Sequence, residues 1–139
     1  MALNNPYQAY RTNQVFTLSR EKLVLMMYDG GLRFCRQGLT ALKDRDYGRA
    51  NENLIRAQEI LAELMAGLNF EAGEVARQLY RLYEFMHWYL VQANINKKAD
   101  MVEEVIELLQ GLRDAWEEAV KKGQSRSSDT QAGNLNLQG

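Results

Sequence analysis

Glu84 and His87 are spaced as Glu-x-x-His in a stretch, residues 79–91, that is otherwise almost wholly apolar and aromatic. In a four-helix bundle that spacing is how di-iron carboxylate sites hold their metal. Such a site takes two motifs of this kind and further inward-facing carboxylates. The chain has a single histidine, so a metal site fails on ligand count. The pair then reads, with Arg81, as a solvated strip. Cys35 is the only thiol. A nucleophilic cysteine needs a histidine or a cation beside it. Cys35 falls on an apolar stripe and reads as a small hydrophobe. No Ser/His/Asp set, phosphate-cradling glycine loop or zinc spacing occurs. Neither an enzyme activity nor a cofactor is expected.

The segment around Glu84 and His87 is informative in another way. Tyr80, Tyr83, Phe85, Trp88 and Tyr89 crowd one helix whose polar strip is narrow. Such a helix must be packed on most sides, and 139 residues suffice for one core and one domain. Apolar surface left uncovered is a place for a partner, so an interaction protein is expected. Lys and Arg number 17 against 18 Asp and Glu, without a basic run, which argues against a nucleic-acid partner. No apolar run approaches membrane-spanning length, and residues 1–10 lack a signal core. With one cysteine and no intrachain disulfide, a soluble cytoplasmic protein without membrane insertion is expected.

Four stretches carry apolar residues in alternating steps of three and four, the period of a helix face. The first has Leu25, Tyr28, Leu32, Cys35, Leu39 and Leu42; the second Ala50, Leu54, Ala57, Leu61, Leu64 and Leu68. The third has Val75, Leu79, Leu82, Met86, Tyr89 and Ala93; the fourth Val102, Val105, Leu109, Leu112, Trp116 and Ala119. Links at residues 43–46, 67–73 and 94–100 are short, so successive helices pack as antiparallel neighbours. Asp100 with Glu103 reads as a capping box, and Lys97 and Lys98 suit the end of the preceding helix. Residues 22–28 before Asp29-Gly30-Gly31 could also read as a strand entering a hairpin. Only Val24 there is β-branched, and the stripe runs on to Leu42, which favours a helix. Two glycines inside a helix cost roughly 1 kcal/mol each against alanine, and in return they allow a neighbouring helix or a bound peptide to approach closely. The fold expected is all-α: an antiparallel up-down four-helix bundle over 19–122, a short N-terminal arm over 1–18, and a disordered tail over 123–139 rich in Gly, Gln, Ser and Asn.

The run Asn5-Pro6-Tyr7-Gln8-Ala9-Tyr10, then Val15, then Leu23-Val24-Leu25-Met26-Met27-Tyr28-Asp29-Gly30, resembles the opening of the flagellar secretion chaperones of the FliS family. Asp46-Tyr47 with Ala50-Asn51-Glu52, Ala93 to Lys98, and Glu103 to Trp116 resemble its later pattern. Ser19-Arg20 departs from the Ser-Pro helix start common in that family, although the capping serine is kept. The resemblance implies a bundle that binds the disordered C-terminal segment of flagellin in apolar grooves, prevents premature polymerisation, and presents it to the cytoplasmic domain of the type III export gate. Flagellar regulators are further partners the family implies. The family match points to Tyr7, Tyr10 and Val15 in the arm, and to Leu25, Met26 and Tyr28, as apolar contacts with flagellin or covers of the groove. The alternative is a self-associating helical scaffold or adaptor without a flagellin client.

Overall fold

The structure, a computed structural model, describes the backbone of residues 6–138 and the side chains of residues 20–123. Four helices follow one another: α1 (Pro6–Lys43), α2 (Tyr47–Ala66), α3 (Glu74–Asn96) and α4 (Ala99–Gln138), with a 3-10 turn at Phe70–Ala72 leading into α3. Each helix packs on the next, and α4 closes on α1, while among the described residues the diagonal pairs meet only through side chains in the core. The up-down bundle expected from the short links is the architecture found. Residues 1–18 and 123–139, expected as arm and tail, belong almost entirely to the parts described for backbone at most. The side chains of Tyr7, Tyr10 and Val15 lie outside the described residues. Among the described residues there is no strand, and no helix is long and apolar enough to cross a membrane.

The links show why each helix stops where it does. Arg45 takes a left-handed φ of 58°, and Asp46 then caps α2 by accepting the Arg49 N–H at 3.3 Å. Lys97 is left-handed at the end of α3, and its N–H and that of Lys98 bond near the Ala93 carbonyl. One expectation is corrected here. α4 already begins at Ala99, so Asp100 sits inside the first turn rather than at the cap. Its charge still favours a helix N-terminus, but the capping box does not form.

The core follows the predicted stripes with three corrections, at Leu25, Val75 and Ala119. In α1, Tyr28, Leu32, Cys35 and Leu42 are buried, whereas Leu25 is half-buried and stands apart from the core cluster. In α2, Ala50, Leu54, Ala57, Leu61 and Leu64 are all buried. In α3, Val75 is 67% exposed, and the buried face is Ala76, Tyr83, Met86, Leu90 and Ala93. That helix is apolar on so many sides that two overlapping stripes satisfy the same period, and packing selects the one carrying Tyr83. In α4, Val102, Val105 and Leu109 are buried and Ala119 is exposed.

Glycines set the α1–α2 spacing. A Cβ at Gly30 would stand 3.3 Å from Ile60 Cδ1, so the close approach anticipated for the Gly30-Gly31 pair is present. The tighter point is Gly38, where a Cβ would fall 2.7 Å from Leu54 Cδ2 and 2.9 Å from its Cγ.

Candidate functional site

One end of the bundle holds an apolar cavity of about 160 Å³. All four helices contribute. Val24, Met27 and Tyr28 share one face of α1, being three and four residues apart. Leu64 of α2, and Gly67 and Leu68 just beyond it, form a second wall. α2 stops at Gly67, whose N–H bonds to the Glu63 carbonyl while the Leu68 N–H bonds to that of Met65, so α2 contributes no further turn over this end. Leu79 and Tyr83 come from α3, and Trp116 comes from α4. Glu63 is the one charged side chain in the lining among the described residues.

Tyr28 and Tyr83 meet at the core side of this cavity, both almost fully buried, and their hydroxyls hydrogen-bond to each other with either able to donate. This contact joins α1 and α3, a diagonal pair that among the described residues meets only through side chains in the core. Burial pushes both phenols above the usual tyrosine range, because the phenolate would lose its hydration. The bond between them raises Tyr83 further and partly offsets the rise at Tyr28. Neither hydroxyl can act as a base near neutral pH.

The side of the cavity between α1 and α4 is pinned. Trp116 Nε1 donates to the Glu21 carbonyl oxygen at 2.9 Å. Arg113 donates from Nε to Asp29 at 2.8 Å and pairs through NH1 with Glu117 at 2.8 Å. The bond to Asp29 holds the Arg113 guanidinium above its ordinary value, and Lys121 with Arg113 holds the Glu117 carboxyl below its own. These groups are solvent-facing, so they orient the seam more than they stabilise it.

Large apolar side chains are also exposed outside the cavity lining. Leu23 and Met26 are exposed on α1, Met26 at 67%. On α3, Phe85 and Trp88 are exposed, with Phe85 stacked on Tyr89 at 4.5 Å between ring centroids. Glu84 is exposed and His87 half-exposed on the same helix. Among the described residues no cluster of three metal-ligating side chains occurs. Cys35 is buried, and burial pushes its thiol up to about 12. A second cavity, about 210 Å³, lies over the α1–α2 link. Arg36, Asp44, Asp46 and Arg49 give it charges of both signs, and it has the character of a wet cleft.

The residues singled out from the sequence separate in space. Met26 is free on the surface, Leu25 is half-buried, and Tyr28 lies in the core wall of the cavity. Leu25 and Tyr28 are three residues apart and lean to one side of α1, while Met26 points away from Tyr28. Val24, Met27, Leu79, Tyr83 and Trp116 were missed as site residues. They are apolar positions well inside their helices, and no signal in the sequence set them apart from ordinary core.

A family model described as "Flagellar protein FliS" matches residues 3–123. The flagellar secretion chaperone FliS of Bacillus subtilis (strain 168) is 41% identical over 121 residues, covering 87% of this chain and 90% of that protein. The protein of the same name from Campylobacter jejuni is 37% identical over 119 residues, 85% of this chain and 93% of that protein. That from Salmonella typhimurium is 33% identical over 116 residues, 82% and 86% of the two chains.

Proposed function

The chain belongs to the FliS family of flagellar proteins, and on that premise we propose that it is a flagellar secretion chaperone whose client is flagellin. It binds the disordered C-terminal segment of flagellin in the cytoplasm, keeps that segment from polymerising early, and delivers it to the cytoplasmic domain of the type III export gate. Binding and release require no catalysis and no cofactor. The observation that carries this reading is the apolar cavity at one end of the bundle, walled by side chains of all four helices. A segment that folds on binding needs preformed apolar grooves to recover its ordering entropy. Methionines suit it, since their flexible side chains adapt to an irregular partner.

Calorimetric titration with the C-terminal segment of the same organism's flagellin tests the proposal. Expected is tight one-to-one binding with a strongly negative heat-capacity change. A folded sample that binds nothing removes the flagellin client. Tyr10→Glu tests the arm: affinity should fall while helicity is kept, and unchanged affinity would remove Tyr7, Tyr10 and Val15 from the binding surface.

The exposed Phe85, Trp88 and Ile95 favour a second reading, self-association through α3. A dimer in sedimentation that persists when flagellin is added would support it over the first.

A further inference from the structure

The cavity is apolar except at one edge, and that edge is negative twice over. Glu63 is exposed there and enters no ion pair among the described residues. It also lies in the last turn of α2, where the helix dipole places negative potential. Helices ordinarily offset this with a lysine or arginine in the last turn; α2 has none. Its end is instead closed by Gly67, which has no side chain to cover the carbonyls.

We infer that the segment filling this cavity carries an apolar anchor side chain with a lysine or arginine beside it, the cation set against Glu63 and the C-terminal end of α2. This rests on the chaperone reading and adds to it a selection rule. The walls formed by Val24, Leu68, Leu79 and Trp116 accept any apolar side chain of suitable size. The edge discriminates among apolar segments by the charge next to the anchor. An acidic residue at that place would meet two like potentials and be rejected.

The test uses the full chain and the flagellin C-terminal segment of the same organism, titrated at low and high salt. Glu63 is exposed in the last turn of α2, so Glu63→Gln and Glu63→Lys should keep helicity and melt no lower than wild type, Glu63→Lys slightly higher. Glu63→Gln is expected to weaken binding roughly 3–10-fold and to flatten its salt dependence, and Glu63→Lys to weaken it further. Replacing each lysine and arginine of the segment in turn by glutamate should identify one position whose loss is recovered by Glu63→Lys and by no other change. If the unmodified pair binds but both Glu63 variants keep wild-type affinity and salt dependence, the selection rule is overturned while the client assignment stands. If the unmodified pair does not bind, both are overturned.

Discussion

The Tyr28–Tyr83 contact makes a quantitative prediction. Each ring is buried, and each hydroxyl has the other as its partner. Replacing one tyrosine by phenylalanine keeps the ring but strands the opposite hydroxyl in the core wall. An unsatisfied buried hydroxyl costs roughly 1–3 kcal/mol. Both phenols border the cavity, and a water admitted there could meet part of the need, so the lower half of that range is expected for either single variant. Removing both hydroxyls strands nothing, and a matched apolar pair can be nearly neutral. The double variant Tyr28→Phe/Tyr83→Phe should therefore lie within about 1 kcal/mol of wild type, above the sum of the single changes. With a melting shift of about 3–5 °C per kcal/mol for a domain of this size, the two singles should melt several degrees lower than the double. Urea unfolding followed by far-UV circular dichroism measures all four corners of the cycle. Additive single effects, within the roughly 0.5 kcal/mol scatter of independent sites, would show that the hydroxyls do not bond to each other and refute the argument.

Two further predictions concern the core. Gly38→Ala gains about 1 kcal/mol of helix propensity but drives a methyl into Leu54, which is fully buried and has little room to yield. Overpacking of that kind costs about 1–3 kcal/mol, so the variant should be neutral to about 2 kcal/mol less stable; a melting point above wild type would contradict the packing. Cys35 should resist thiol reagents in the native state and react no faster than the chain unfolds. Its folded value is raised from 9.0 to about 12, so the folded chain holds this proton more tightly than the unfolded one. The associated stability is whole below about pH 9 and is lost as pH rises toward 12. Tyr28 and Tyr83, raised in the same direction, add to the loss above about pH 10. Unfolding free energy should therefore fall between pH 9 and 11, less steeply in Cys35→Ala. A flat profile would mean that the thiol and phenols are not buried as described.

The helices were legible because period and link length are local properties. The stripe of α2 held from Ala50 to Leu64 without an error, since polar residues flank it cleanly. α3 defeated the same reasoning: Val75 was taken for core and Tyr83 was left off the stripe, because a nearly all-apolar helix does not say which side faces inward. Asp100 lies two residues past the cap, inside the first turn, a displacement that composition cannot register. Gly30 and Gly31 announced a close helix approach because two adjacent glycines interrupt a stripe. Gly38, alone, did not, though it makes the tighter contact. The cavity was the least legible feature. It exists only where the last turn of α2 meets interior positions of α1, α3 and α4, and no residue in its wall is unusual for a helix until its neighbours in space are known.

The ring of helices has a kinetic consequence. Three of its seams join helices consecutive in the chain and can form as local hairpins. The fourth, α1 with α4, is secured by Arg36 to Gln110, Asp29 to Arg113 and Glu21 to Trp116, pairs separated by 74, 84 and 95 residues. Contacts of such long range bear the largest loop-closure entropy and form late. Trp116 lies both on that seam and in the wall of the cavity, so the cavity gains its last wall only when this final seam closes.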